Sequence, residues 1–329
     1  MKAGDRDVLR DFFRKWQEVI EEFHITPEHI YNWDEKGVMI GLTGREWVLA
    51  AQDRKEAYAI QDGNCESVTV IECASQANIS AFPHILPPYI ISAGDTYTAA
   101  NFRYLVETEY GDANILKGAV FRKSKNGYTD NKIGFDYIKW FDLQTREFAD
   151  NGRIHRLALV DGHSSHLTLE IIEYCMQPQV NIHIVCLPAH STHILQPMDV
   201  GIFGPLSRAY KKEVSAWCRD CTNGRMSFAS FLLCYHRARE TAITNRNVQK
   251  AFEATGLLPL NPRVVLDSRK VRQDAKEEYE AKLAIEQETF HPMKPLDPFN
   301  LPPTPRVNKT IEDIKTTGKF YTAPAFGSS

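Results

Sequence analysis

The segment from residue 156 to residue 187 constrains the fold more than any other part of the sequence, because two short apolar runs flank a stretch with helical spacing. The runs 156–160 and 182–187 have the length of strands, and residues 167–176 repeat apolar side chains at three- and four-residue intervals. A strand, a helix and a second strand in that order predict a β-α-β crossover with two parallel strands. We therefore expect an α/β protein, with helices packed on a sheet.

The rest of the chain predicts further strands and helices around this unit. Short β-branched runs predict strands at 30–33, 37–42, 67–73 and 79–85. Helical spacing predicts helices at 8–23, 99–109, 135–149, 201–218, 228–239 and 246–254. For the helix at 135–149, the expected buried face is Phe135, Ile138, Phe141, Leu143 and Phe148.

Changes in composition divide the chain into three predicted parts. Residues 1–27 are expected to form a helix and linker, and residues 28–262 the main folded domain. The part at 263–329 is charged up to residue 288 and rich in proline from 292 to 305. Because such a tail has too few apolar side chains to offset the entropy of ordering it, we predict an exposed helix followed by disorder.

Composition also limits the classes of function. The formal net charge of -3 and the pI near 6.4 lack the overall basicity of a free-standing nucleic-acid binder, so DNA contact requires local basic patches or bound cations. Seven cysteines and no signal-like N-terminus favour a reducing compartment, the cytosol or the nucleus. The apolar runs are far shorter than the roughly 20 residues that cross a bilayer, so we expect no membrane contact.

Three aspartates lie where predicted elements end or begin. Asp34 ends the first predicted strand, Asp161 ends the strand at 156–160, and Asp199 precedes the helix that begins near residue 201. Groups at the carboxyl ends of strands converge on one crevice. Three carboxylates there repel one another unless protons or divalent cations neutralise them, and oxygen ligands suit Mg²⁺ or Mn²⁺. Two such ions about 3.5–4 Å apart promote phosphoryl transfer.

The sequence around each aspartate is more specific than the spacing, since aspartates also commonly cap helices and end strands. The contexts are Asn-Trp-Asp-Glu-Lys-Gly at 32–37, Val-Asp-Gly-His-Ser-Ser-His at 160–166, and Leu-Pro-Ala-His-Ser-Thr-His-Ile-Leu-Gln-Pro-Met-Asp-Val-Gly-Ile-Phe-Gly-Pro-Leu at 187–206. Together they resemble the DDE superfamily endonucleases of the pogo and jerky branch of mariner-type transposases, over roughly residues 28–262. Cys65, Met198 and the segment 75–88 depart from the usual pattern, but none of these departures removes an acid.

This resemblance implies a ribonuclease H-like fold, an α/β structure with a five-stranded mixed sheet flanked by helices and a helical C-terminal extension. Matched residue by residue, Asp34, Asp161 and Asp199 are the three acids, and they imply a pair of Mg²⁺ or Mn²⁺ ions as cofactors. The implied reaction hydrolyses DNA at transposon ends, and the freed 3'-hydroxyl then attacks target DNA. The implied location is nuclear, and a homodimer is one option for the assembly.

A second function stays open, namely a catalytically inactive nuclear DNA-binding protein derived from a transposase. The three retained carboxylates favour the enzyme. Both functions need recognition of a DNA sequence, yet no helix-turn-helix module with a basic recognition helix is evident. Relatives carry such a module upstream of the catalytic domain, so we interpret the first helix as a linker remnant and predict weak, non-specific DNA binding.

Basic side chains near the three motifs are candidate contacts to DNA phosphates. They are Lys36, Arg122, Lys123, Lys125, Lys132, Arg208, Lys211 and Lys212. The run at 122–125 is expected to lie in a loop, where functional contacts are common. Glu35 is adjacent to Asp34 but should point to the opposite face of the strand.

Two H-x-x-H pairs raise the alternative of a zinc site. They are His163 with His166, and His190 with His193. In the resembling family these histidines lie around the carboxylates, which favours orientation of loops or contact with phosphate over zinc binding. We interpret three cysteines as structural thiols rather than as a metal site with His236. They are Cys218, Cys221 and Cys234, and the first two continue a predicted helix.

Overall fold

The computed structural model describes residues 6–41, 66–76, 85–97, 116–162, 167–220, 226–268 and 271. These residues contain strands β1 (Ile30–Met39), β2 (Ser67–Ser75), β3 (Tyr89–Ala93), β4 (Val120–Ser124), β5 (Arg156–Val160) and β6 (Ile182–Cys186). The α-helices are α1 (Arg6–Glu22), α2 (Asn131–Arg146), α3 (Leu169–Cys175), α4 (Thr192–Leu195), α5 (Phe203–Asp220), α6 (Phe228–Ala242), α7 (Asn245–Ala254) and α8 (Arg263–Leu266). A π-helical turn, Met198–Ile202, leads into α5.

The strands form one mixed sheet in the order β4-β3-β2-β1-β5-β6. β2 is antiparallel to both β1 and β3, whereas β1 and β5, β5 and β6, and β3 and β4 are parallel pairs. β5 and β6 are buried at every residue, as expected for parallel strands covered on both faces. The predicted β-α-β crossover and the ribonuclease H-like mixed α/β fold are confirmed, but the expected count of five strands is wrong because β4 adds an edge.

Alternating side chains of the sheet enter two separate cores. In β1, Ile30 and Val38 pack on one face with α1, α5, α6 and α7, while Tyr31 and Trp33 pack on the other with α2 and α3. This alternation follows from the two-residue period of a strand. Asn32 and Asp34 therefore belong to the face covered by α5, α6 and α7.

Several local expectations differ from the structure. The runs at 30–33 and 37–42 are one strand, because β1 continues through its glycine at residue 37 while paired to β2. The expected strand at 79–85 and helix at 99–109 lie outside the described residues, apart from Ile85, which forms an isolated bridge to Ala74. Strands β3 and β4 were not predicted from the sequence.

The buried face of α2 also differs from the expected one. Leu143 is 69% exposed, so its assignment to the core is wrong. The buried apolar side chains Ile133, Tyr137, Ile138 and Phe141 form a three- and four-residue series to which Leu143 does not belong. The helix begins earlier than predicted because Asp130 caps it, accepting a hydrogen bond from the Ile133 N–H at 2.8 Å.

Helix α1 packs into the core rather than standing apart from it. Its buried side chains are Leu9, Phe12, Phe13, Trp16 and Val19. At the other end of the described chain, Val265 and Val271 enter the same core, and Arg6 pairs with Asp267 at 3.1 Å. The domain boundaries after residues 27 and 262 stay predictions. In the part of the chain that the structure describes, every helix is too short or too polar to cross a membrane.

Candidate active site

Asp34 is the fifth residue of ten-residue β1, so the expectation that it ends a strand is wrong. It nevertheless lies at an opening in the sheet. The parallel pairing of β1 with β5 stops at Asn32, which is opposite Leu159. Beyond that point β1 continues alongside β2 only, and Asp161 follows β5 directly, as predicted. The point where β1 and β5 separate thus places two of the acids near one another.

Asp199 reaches the same region from the π-helical turn before α5, so α5 begins later than predicted. π-Turns are rare and often lie at functional sites. A Cβ added to Gly201 would lie 2.5 Å from the Cβ of Ala251, so only glycine lets this turn pack so closely against α7. This close packing fixes the position of the π-helical turn, and therefore that of the Asp199 backbone.

The three carboxylates interact electrostatically. Burial raises the pKa of Asp34 to about 7, and negative charge on Asp199 and Asp161 adds to the increase. The backbone N–H of Glu35 donates to Asp34 Oδ1 at 2.8 Å, which acts in the opposite direction. Desolvation and Asp161 likewise raise the pKa of Asp199, whereas Lys36 and His193 oppose that rise. Asp34, Asp161 and Asp199 therefore lie within electrostatic range of one another.

The donor chemistry of this group suits a hard divalent cation. All three side chains offer only carboxylate oxygens, which Mg²⁺ and Mn²⁺ prefer, and a cation would offset both the burial of Asp34 and the like charge of its two neighbours. Within the described residues, however, no three His, Cys, Asp or Glu side chains stand close enough to form a ready metal site. The three acids therefore fit the ion by the type of their donor atoms.

A fourth acid, Glu72, lies beside Asp34, but its carboxylate is not available to bind a cation. Glu72 is directly opposite Asp34 in β2, and opposed residues of an antiparallel pair share a face. It is fully buried, accepts a hydrogen bond from the Tyr235 hydroxyl at 2.7 Å and pairs with Arg239 Nε at 2.9 Å. The Arg239 cation already compensates Glu72. This group could not be predicted from the sequence, because the partners of Glu72 are more than 160 residues away.

Two buried amides at the site were also missed. Asn32 and Gln196 are both fully buried and both lie inside the quoted motifs, two and three residues before an acid. Their presence in those motifs is the signal that could have identified them. Glu35 does point away from the site as predicted, since its partner across the strand pair, Ile71, belongs to the opposite core.

The predicted basic residues separate into two groups. Lys36 belongs to the site, because it acts on Asp199 and its Nζ lies 5.4 Å from the centre of the Phe203 ring. Arg122 and Lys123 lie on the edge strand β4 and Lys125 directly follows it, so the expectation of a loop at 122–125 is wrong. Lys123 Nζ donates to the Ala93 carbonyl at 2.7 Å.

The predicted histidines and cysteines are only partly described. His163, His166 and Cys221 lie outside the described residues. His190 and His193 are exposed, and His193 influences Asp199. Cys234 is buried, and burial raises the pKa of its thiol to about 12. Zinc binding at either group stays untested, although the described residues contain no three close metal-binding side chains.

The sheet is mixed and carries helices on both faces, and the three acids lie where two of its central strands separate. These features define a ribonuclease H-like domain with an acidic site. The model of the DDE superfamily endonuclease family matches residues 65–252. The chain belongs to the DDE superfamily endonuclease family, which confirms the resemblance seen in the sequence. The match includes Asp161 and Asp199 and begins after Asp34.

Comparisons with individual proteins add similarities of limited reach. The chain is 32% identical over 270 residues to a protein named MFS-type transporter clz9 from Cochliobolus lunatus, which covers 82% of this chain but 27% of that protein. This chain therefore spans about a quarter of the length of that relative, and the name belongs to the whole of the longer protein.

Solved structures with some similarity include the Mos1 mariner paired end complex with Mn and the catalytic domain of Mos1 mariner transposase. The first has a TM-score of 0.40 at 10% identity and covers 77% of this chain and 62% of its own. The second has a TM-score of 0.33 at 13% identity and covers 77% of this chain and 95% of its own. Scores this low carry no weight here, and the fold assignment rests on the sheet order.

Proposed function

We propose that this chain cleaves phosphodiester bonds in DNA and transfers the freed 3'-hydroxyl to a target strand, as a DDE-type transposase. The observation that carries the proposal is the convergence of Asp34, Asp161 and Asp199 where β1 separates from β5. Asp199 and Asp161 add to the rise that burial causes in the pKa of Asp34, and Asp161 adds to the rise in the pKa of Asp199, which supports a site that binds positive charge.

In this proposal the three aspartates hold two Mg²⁺ or Mn²⁺ ions. Such ions, when bound, polarise the phosphate and activate water for in-line attack. Asp34 is the least exposed of the three acids, and because burial raises its pKa to about 7, a bound cation would favour its ionised form over the protonated one. Lys36 balances Asp199 on the exposed side of the site, where it is also within reach of a substrate phosphate.

The partners that follow from this reaction are transposon ends and target DNA. Lys36 at the site and Arg122, Lys123 and Lys125 at the β4 edge are the proposed phosphate contacts, with His163, His166, His190 and His193 around the acids. A DNA substrate implies a nuclear location, and a homodimer is one way to bring two DNA ends together. These statements concern the whole protein and remain proposals.

Cleavage of labelled DNA that carries matched terminal repeats tests this function. We expect cleavage with Mg²⁺ or Mn²⁺, none with EDTA, and a loss of about a thousandfold or more in Asp161→Asn, because one amide replaces a carboxylate ligand. Asp150→Asn is the matched control, since Asp150 is exposed and lies at the opposite end of the sheet.

Each outcome separates the candidates. A fully active Asp161→Asn protein would sink the assigned mechanism. DNA binding without cleavage under any divalent ion would instead identify the inactive, transposase-derived DNA-binding protein. If Zn²⁺ but not Mg²⁺ restored activity, the metal would instead be assigned to the histidine pairs.

A further inference from the structure

Asn32 contacts the segments that carry the other two acids. Its Nδ2 donates to the Leu159 carbonyl at 3.0 Å, two residues before Asp161. Its Oδ1 accepts from the Met198 backbone N–H at 2.9 Å, one residue before Asp199. Asn32 itself is two residues before Asp34 and on the same face of β1. One side chain thus joins all three acid-bearing segments.

Gln196, three residues before Asp199, is the second buried amide of the site. Its side chain is fully buried, and its amide acts on the Asp34 carboxylate. Neither amide atom reaches full hydrogen-bond geometry with any partner. A buried amide without completed hydrogen bonds is costly, so a native protein retains one mainly where it serves another purpose. Here the amide interacts with Asp34, the most buried of the three aspartates.

We propose that Asn32 and Gln196 are positioning residues, which hold Asp34, Asp161 and Asp199 in the relative arrangement that a divalent cation requires. Asn32 sets the separation of the three segments, and Gln196 orients the Asp34 carboxylate. Groups one step removed from metal ligands commonly change metal affinity or activity by about 10–100-fold when removed. The part of this inference that concerns metal rests on the proposed function, whereas the role of Asn32 in the fold does not.

The chain offers a matched control at the other end of the sheet. Asn181 is also a buried asparagine, and its Nδ2 donates to two backbone carbonyls, Gly152 at 2.8 Å and Pro178 at 2.7 Å. Asn181→Ala therefore removes as many side-chain hydrogen bonds as Asn32→Ala removes between segments. General loss of stability should appear in both variants, and loss of acid positioning only in Asn32→Ala.

Backbone hydrogen exchange of the full chain without metal or DNA tests the role of Asn32. We expect exchange in the segment 196–202 to accelerate by about tenfold in Asn32→Ala, because the Met198 N–H loses its acceptor. In Asn181→Ala that segment should exchange within about twofold of the unmodified protein. Equal exchange in the two variants would overturn the proposal for Asn32.

Gln196→Met replaces the amide by an apolar side chain of similar size, so the variant should fold with an unchanged melting temperature. We expect its affinity for Mn²⁺, followed by electron paramagnetic resonance, and its kcat for DNA cleavage to fall by about tenfold, while KM stays within about twofold. Unchanged Mn²⁺ affinity and kcat would refute the role of Gln196, and this variant carries the test alone if Asn32→Ala fails to fold.

The failure of the proposed function has a different signature. If the unmodified protein neither binds Mn²⁺ nor cleaves DNA, the endonuclease proposal and the metal role of both amides fail together. The hydrogen-exchange comparison still decides whether Asn32 holds the three segments, because it requires neither metal nor substrate.

Discussion

Charges of opposite sign are paired at the amino end of the central strands, whereas acids of like charge lie near one another at the carboxyl end. At the amino end of β5, fully buried Arg156 donates to Asp142 Oδ1 at 2.7 Å and to Thr145 Oγ1 at 2.7 Å, and also to the Val180 carbonyl. At the carboxyl end, Asp34, Asp161 and Asp199 face one another with like charge. The buried cation at the amino end is therefore paired with a carboxylate, whereas the carboxyl end would gain from an added cation.

The pKa values express the same difference. Although burial favours the protonated form, hydrogen bonds from Arg146 and Arg156 hold the pKa of Asp142 below its ordinary value. At the other end, burial and the neighbouring acids raise the pKa of Asp34 to about 7. Removing one partner of a compensated pair destabilises a fold, whereas uncompensated charges of the second kind indicate a candidate ligand site.

The largest effect on stability is expected at the compensated end. Asp142→Leu leaves Arg156 buried without its carboxylate and should lower the free energy of unfolding by about 3–5 kcal/mol. Urea unfolding at pH 7 measures this loss. Asp150→Asn, which affects an exposed ion pair with Arg153, should cost less than about 1 kcal/mol and serves as the control. Similar losses in both variants would contradict the contrast between the two ends.

At the uncompensated end, removal of a charge should stabilise the protein. The folded-state pKa of Asp34, about 7, lies above the ordinary value of 3.8, so stability is lost as the pH rises toward 7 in EDTA. Asp34→Asn abolishes this loss, and its advantage should grow by roughly 2–4 kcal/mol between pH 4 and pH 8. Thermal melts across this pH range measure it.

Divalent ions provide the control for that experiment. Saturating Mg²⁺ at pH 8 should restore stability to the unmodified protein and leave Asp34→Asn almost unchanged, because ligand binding stabilises only the form that binds. An advantage of Asp34→Asn that is independent of pH would show that the carboxylate is ionised without cost.

A histidine pair at the amino end should show the opposite pH dependence. Burial, together with His155, lowers the pKa of His183 to about 3, and His155 Nδ1 lies 2.7 Å from His183 Nε2. Stability is therefore full above pH 6.5 and is lost as the pH falls toward 3. Between pH 7 and pH 4 the loss should be roughly 2–3 kcal/mol, smaller in His183→Gln. An equal loss in His183→Gln and exposed His190→Gln would exclude His183 as its source.

The smallest expected effect is at the β4 edge. Lys123→Gln loses a hydrogen bond to the Ala93 carbonyl and a cation–π contact with the Tyr97 ring, whose centre lies 4.6 Å from Lys123 Nζ, so stability should fall by roughly 1–2 kcal/mol. If Lys123 contacts DNA, the slope of log affinity against log salt should fall by about 1. Lys139→Gln on α2 is the control, since that side chain lies over the Phe135 ring. An identical slope in both variants would remove Lys123 from the DNA surface.

The sequence predicted most of what depends on neighbouring residues. The helices around Phe12, Phe141 and Phe231 follow from short-range periodicity, and Asp161 was placed correctly because its strand is short and apolar. The extent of β1 and the existence of β3 and β4 were not predicted, since strand pairing depends on residues far apart in the chain. Leu143 was misassigned because an apolar side chain on a helix need not face the core.

Taken by itself, the sequence determined the α/β class and the family motifs, and it predicted the three acids, because all of these are encoded in short continuous segments. Only the tertiary structure decided which charges are compensated. Glu72 beside Asp34 is neutralised by Arg239, and Asn32 joins segments more than 120 residues away. Coulomb energy and desolvation depend on distance and burial in space, and these are properties of the folded chain rather than of its order of residues.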